Sequence, residues 1–223
     1  MQRAGATLLL VLALVVAGCG DDGGPSSEAT TSSEEASASG CENVAAPAPR
    51  DDGGATAPSE RLDPERTWTL TFDTSCGTFG VTLDLESAPA TSASLVSLAK
   101  AGFYDDTVFH RIVPGFVIQG GDPTQTGSGG PGYSTVDVPA PDAAYVKGAV
   151  AMAKAGAEPA GTSGSQFFVV TGADVGLPPE YAVVGKVTRG LDVVERIGAL
   201  GDPTTEQPLQ PVVVESVTAA STP

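Results

Sequence analysis

Two short apolar runs, residues 108–113 and 116–119, flank a Pro114-Gly115 turn near the middle of this chain. More than any other feature they limit what it can fold into. Each reads as a strand, and the turn residues between them bring the two together as neighbours. Arg111 and Gln119 interrupt the apolar pattern. Burying the Gln119 amide without a partner would cost roughly 2–7 kcal/mol, and burying an unpaired guanidinium far more, so each needs a hydrogen-bonding partner, internal or supplied by a ligand. Gly120-Gly121-Asp122-Pro123 then stops the second strand.

The flanking sequence extends the same theme. Residues 67–72 and 78–85 alternate polar and apolar positions around Ser75-Cys76-Gly77, which predicts a β-hairpin. Ala88-Pro89 opens a helix with Ala93, Val96, Leu98 and Ala99 on its apolar side, closing at Lys100-Ala101-Gly102. Residues 123–147, rich in Gly, Pro and Asp, read as long loops. Strands are expected near 148–153, 166–171, 182–188 and 211–217, with a second helix from Gly190 to Leu200. Many short strands and two helices predict a mainly β fold, a closed antiparallel barrel capped by helices. Trp68 is expected in its core.

The N-terminal third differs. Residues 1–18 carry Arg3 and then an apolar run from Ala6 to Ala17, shorter than the ~20 residues of a spanning helix and suited to a signal peptide. It ends in Val16-Ala17-Gly18-Cys19, which resembles the lipobox of bacterial lipoproteins. That resemblance implies cleavage before Cys19, lipidation of its thiol and an extracytoplasmic protein anchored to the cell membrane by palmitate-type lipid. Residues 19–64 are rich in Ser, Gly, Pro, Asp and Glu and hold about half of the net charge of −16. They are expected to form a disordered acidic tether. The ordered domain is placed at 65–219, with 220–223 as a tail. Cys41 and Cys76 are an even pair in the exported chain; a disulfide and two unpaired thiols both remain open. Such an acidic chain disfavours nucleic acid as a partner.

The stretch Phe109-His110-Arg111-Ile112-Val113-Pro114-Gly115-Phe116-Val117-Ile118-Gln119-Gly120-Gly121-Asp122 closely resembles the cyclophilins, the peptidyl-prolyl cis–trans isomerases. Two further blocks match in order: Gly148 to Gly156 with Gly164-Ser165-Gln166-Phe167-Phe168-Val169-Val170-Thr171, and Tyr181-Ala182-Val183-Val184-Gly185-Lys186-Val187. Together they span roughly residues 66–219. The resemblance implies an eight-stranded antiparallel barrel with a helix at each end, an enzyme without a cofactor, and proline-containing segments of unfolded or exported proteins as substrates. It places Arg111 as the catalytic arginine and Gln119 beside it. Phe116, Val117, Phe168 and Leu177 match the proline pocket; Ala153, Lys154 and Ala155 match the segment that pairs with substrate backbone. Gln166 and Tyr181 match the binding face.

Departures from the family pattern are informative. Tyr181 stands where a histidine is common and Lys154 where asparagine is usual. Gly176 occupies the position of a tryptophan known in many members for binding cyclosporin, so weak cyclosporin binding is expected. His110, the one histidine, is expected to pack beside Arg111. No Gly-x-Ser-x-Gly elbow supports a hydrolase, and one histidine with scattered cysteines gives no metal cluster. Gly127 to Gly132 spells Gly-x-Gly-x-x-Gly without the strand and helix a nucleotide site needs, and reads as a surface loop. A non-catalytic proline-peptide-binding chaperone or scaffold is the competing function, and a monomer is the default assembly.

Overall fold

The structure is a computed structural model that describes residues 40–223. The signal segment and Cys19 lie outside the described residues. Among the described residues, eleven strands and two helices follow one another as β1 (Thr67–Thr74), β2 (Gly77–Leu83), α1 (Pro89–Lys100), β3 (Thr107–Val108), β4 (Arg111–Val113), β5 (Val117–Gly120), β6 (Thr135–Val136), β7 (Ala149–Met152), β8 (Thr162–Ser163), β9 (Phe167–Val170), β10 (Val183–Arg189), α2 (Leu191–Gly198) and β11 (Val213–Thr222).

Nine strands form one antiparallel sheet in the order β3-β11-β1-β2-β10-β7-β9-β5-β4, and β6 pairs with β8 as a separate ribbon. The expected barrel had eight strands and a closed ladder. Here the sheet ends, β3 and β4, are not hydrogen-bonded partners. They are consecutive in the chain and joined only by Phe109-His110, so the sheet curls until its two ends come together. The run at 108–113 therefore breaks in two: Phe109 turns its ring into the core, fully buried, and its N–H donates to Val212 O.

Strand alternation separates two faces. Ile112, Ile118, Val169 and Val150 point to the main core, where Phe72 stacks on Phe79 at 4.7 Å and Phe167 meets Phe109 edge-on at 6.0 Å. Their strand neighbours Val117, Phe168, Ala149 and Ala151 point the other way and form a smaller apolar cluster around Tyr145. α1 ends as its glycine predicts: Gly102 takes φ +67°, its N–H reaches Ala99 O, and Phe103 N–H reaches Leu98 O, a closure that satisfies the last carbonyls. The other end of α1 lacks a local side-chain cap; Asp137 supplies one from a distant loop, accepting from Thr91 N–H at 2.7 Å.

Three features differ from expectation. The last strand runs to Thr222, pairing with Thr67, so residues 220–222 belong to the sheet. Their small side chains hide the pairing, which rests on main-chain bonds and on Arg66 held to Ser221 Oγ at 2.9 Å. Trp68 is half-buried rather than core, its indole N–H donating to Asp63 O at 3.3 Å. The largest difference is the tether. From residue 40 to 64 it has neither helix nor strand, yet it is a strap laid on the domain. Cys41 and Cys76 form a disulfide, and Glu42 N–H donates to Ser75 O. Arg50 N–H donates to Pro123 O, Gly53 N–H to Gly130 O and Ala55 N–H to Pro131 O. Ala55 and Leu62 pack against the main core. A segment of this composition buries too little apolar surface of its own to be ordered; a cross-link and borrowed hydrogen bonds replace that need here.

Candidate active site

The register of the sheet builds the site as one row. Arg111 on β4 pairs with Gln119 on β5, Gln119 with Phe168 on β9, and Phe168 with Ala151 on β7. Directly opposed residues share a face, so a cation, an amide and an aromatic ring are set side by side on rigid strands. Phe116, one residue before β5, and Leu177 and Tyr181, from the loop before β10, close around that row. They enclose a cavity of about 290 Å³ lined by Arg111, Phe116, Val117, Gln119, Ala153, Lys154, Phe168, Leu177 and Tyr181. Ala155 and Gln166, also expected at the site, line a neighbouring cavity of about 580 Å³ that shares Gln119, Ala153 and Lys154 with the first.

Polar groups on the rim are locked in a chain. Arg111 Nε donates to Glu206 Oε2 at 2.7 Å and an Nη donates to Gln119 Oε1 at 3.4 Å. Gln119 Nε2 donates to Gln166 Oε1 at 3.1 Å, and Gln166 Nε2 to Gly129 O at 2.9 Å. The partner required for Arg111 is thus internal and comes from a loop 95 residues away. Glu206 sits at φ +59°, and its carbonyl accepts Ile112 N–H at 2.8 Å, which docks the loop one residue from Arg111. Asp202 ties that loop together by accepting from Thr205 and Thr204 N–H; these bonds hold its carboxyl below the usual range.

Tyr145 is a second residue that the sequence did not single out. Buried below the pocket, it donates from its hydroxyl to Tyr181 O at 2.8 Å and accepts from Tyr181 N–H at 3.0 Å. The Tyr181 ring then stands edge-on to Phe168 at 5.6 Å. Burial raises the Tyr145 hydroxyl above its ordinary pKa, which keeps it a neutral donor. Lys154, which stands where asparagine is usual in the family, is held in an ion pair. Its side chain is 2 % exposed and pairs with Glu180 at 3.0 Å, with the ammonium 5.6 Å from the Tyr181 ring centre. Two amides of the expected substrate-pairing segment are also engaged: Ala153 N–H donates to Gln166 O, and Ala155 N–H to Glu158 Oε2.

Behind the row, buried Asp122 accepts from Thr124 N–H and hydroxyl and from Gly127 and Gly129 N–H. Burial alone would raise its pKa; the bonds from Thr124, Gly129 and Gly127 outweigh this and hold it below the usual range. Asp122 thereby shapes the glycine-rich loop 127–132. His110 lies beneath that loop, and neither ring nitrogen has a hydrogen-bond partner among the described residues. Burial lowers its pKa; Asp122 opposes the shift and Arg111 adds to it. Gly176 takes φ +60° beside open space, so no ring stands at that position.

An apolar pocket with a fixed guanidinium and an amide on its rim can hold a small ring and donate hydrogen bonds beside it. A guanidinium supplies hydrogen-bond donors and no acceptor, so this arrangement offers charge and hydrogen bonding at the rim of an apolar pocket.

Comparison with known proteins gives a consistent result. The family model for the cyclophilin-type peptidyl-prolyl cis-trans isomerases matches residues 69–219. The chain is 39% identical over 173 residues to peptidyl-prolyl cis-trans isomerase A of Mycobacterium tuberculosis, covering 70% of this chain and 93% of that protein. It is 35% identical over 149 residues to a peptidyl-prolyl cis-trans isomerase of Arabidopsis thaliana, covering 65% and 89%. A cyclophilin-type isomerase of Cryptosporidium parvum superposes with a TM-score of 0.64 at 28% identity, over 70% of this chain and 99% of that one. The same parasite protein has been solved in the presence of the dipeptide Ala-Pro, with a TM-score of 0.63.

Proposed function

The chain belongs to the cyclophilin-type peptidyl-prolyl cis–trans isomerases, and from that premise we propose that Arg111 drives rotation about X–Pro bonds in exported proteins by stabilising the twisted amide. Amide resonance sets the ~18–20 kcal/mol barrier, so the enzyme gains rate by binding the twisted state more tightly than either planar one. The proline ring fits the apolar cavity between Phe116, Phe168 and Leu177. As the bond twists, the prolyl nitrogen gains a lone pair and becomes an acceptor. Arg111, on the wall of the same cavity, then donates to it, and no covalent intermediate is needed.

The observation that carries this reading is the fixed position of Arg111. Glu206 and Gln119 each take one N–H, leaving further donors of the five-donor guanidinium for substrate without rearrangement. Such preorganisation is what electrostatic stabilisation requires. The test is isomerisation of an Ala-Pro peptide by the chain from Gly20 onward, which keeps every described residue, beside Arg111→Ala. The expected result is a loss of about a hundred-fold, in the range for a single lost transition-state donor. Equal turnover in both proteins refutes the role of Arg111. A folded protein that binds proline peptides without turnover supports the chaperone or scaffold reading instead.

The exported setting and the membrane anchor are part of the proposal. The lipobox-like Val16-Ala17-Gly18-Cys19 supports lipidation at Cys19, and the Cys41–Cys76 disulfide supports an oxidising compartment. Cys19→Ala is expected to move the protein from the membrane to the soluble fraction of the producing cell; unchanged partition refutes the anchor.

A further inference from the structure

The strap is seated where it can touch a bound peptide. It crosses the outer side of the glycine-rich loop, with Gly53 N–H on Gly130 O, Ala55 N–H on Pro131 O, and the side chain of Gln125 donating to Pro47 O at 2.9 Å. The backbones meet closely: a Cβ at Gly132 would come within 3.1 Å of Gly53 Cα. The same loop walls the 580 Å³ cavity beside the proline pocket, and Asp52 of the strap reaches that wall. One carboxylate oxygen of Asp52 accepts Gly130 N–H at 2.6 Å, which fixes the side chain at the cavity edge.

Charge gives the cavity a preference. Its charged lining residues are Asp52, Glu158 and Lys154. The ammonium of Lys154 is paired with Glu180 and with Glu158 O, so its charge is already balanced. Two exposed carboxylates remain to set the potential. Gln119, Ala153 and Lys154 belong to both cavities, so a peptide whose proline occupies the smaller one runs past the larger. In an extended peptide, side chains two positions apart project on the same face.

We propose that the strap is part of the peptide site. Asp52 brings a carboxylate to the second cavity, and the enzyme favours substrates with a cationic side chain two residues from the proline. This inference rests on the isomerase reading for the position of the proline. It assigns to an N-terminal segment, outside the sheet and helices, a share in choosing substrates.

The test compares kcat/KM for hexapeptides carrying Lys, Ala or Glu two residues before the proline, and separately two residues after it. Exposed charge pairs are worth up to about five-fold each. The expected result is therefore a Lys-over-Glu preference of about five-fold to ten-fold in one of the two registers. The preference should shrink at about 1 M salt, where screening is nearly complete. Asp52→Asn keeps an oxygen to accept Gly130 N–H and removes the charge, so it should cut the Lys-to-Glu ratio to less than half. Equal turnover of Lys and Glu peptides in both registers overturns the proposal, and so does a ratio unchanged in Asp52→Asn. If no peptide is turned over, the isomerase reading fails. The same Lys-to-Glu ratio read from calorimetric Kd values then decides the role of Asp52.

Discussion

Removing the Cys41–Cys76 disulfide tests whether the strap is a structural part of the domain. The bridge joins residues 35 apart in sequence. For a closed loop of that size, the chain-entropy relation gives about 4 kcal/mol of stability lost when both cysteines become serine. In a domain of this size each kcal/mol moves Tm by roughly 2–4 °C, so Tm should fall by about 8–16 °C. Urea unfolding followed by fluorescence is well suited, because the one tryptophan, Trp68, is hydrogen-bonded to Asp63 at the end of the strap. The full loss is expected only if the strap stays docked when uncrosslinked, since the unfolded chain alone then gains freedom. If the strap peels away, the folded state gains freedom as well and the loss is smaller. Fast amide exchange at Glu42, Arg50, Gly53 and Ala55, whose N–H groups are bonded to the domain, would accompany it. An unchanged midpoint together with unchanged exchange at these amides would refute the claim that the cross-link secures the strap.

Glu206→Gln keeps an acceptor for Arg111 and removes its counter-charge. Both side chains are more than a third exposed, 34% and 45%, so the pair should contribute less than about 1 kcal/mol to stability. The kcat for an Ala-Pro peptide should nevertheless fall about five-fold to ten-fold with KM little changed; an unaltered kcat removes Glu206 from the positioning of Arg111. His110 offers a pH test without interference, because no other histidine is present. Its pKa is lowered in the folded state, so the unfolded chain binds the proton first. The stability it confers is complete above about pH 6.5, the ordinary histidine value. It declines as pH falls below that value toward the folded pKa. His110→Gln should flatten the unfolding free energy measured between about pH 7 and pH 5; an unchanged slope refutes the assignment.

What the sequence made legible is what local pattern controls. The hairpin of β1 and β2, the Pro89 start and Gly102 stop of α1, and the apolar strands β5, β7 and β9 follow from alternation, capping and turn chemistry. These short-range signals act over a few residues. The row Arg111–Gln119–Phe168 was accessible because resemblance supplied the roles, and the register then set the three side by side. Glu206 and Tyr145 escaped because nothing within their own loops marks them; each matters through a partner far along the chain. The strap escaped for a related reason. Its Ser, Gly and Pro content describes how it would behave alone, while its order comes from the Cys76 cross-link and from the loop at 123–131.

The placement of charge around the site follows one rule. Strands contribute much of the apolar pocket and the side chains of Arg111 and Gln119, whereas carboxylates arrive from loops and from the strap. Glu206 neutralises Arg111 and Glu180 neutralises Lys154, so neither cation dominates the field at the groove. The carboxylates of Asp52 and Glu158 therefore determine its sign, against a chain of net charge −16. A negative cleft raises the association rate of cationic ligands at low ionic strength, so a Lys-bearing proline peptide is expected to associate faster than its Glu counterpart. Arg111 escapes the cost of that field because its own carboxylate partner is fixed beside it. The proposed transition-state role of Arg111 and the proposed substrate choice by Asp52 thus rest on different charges, so each can be altered without the other.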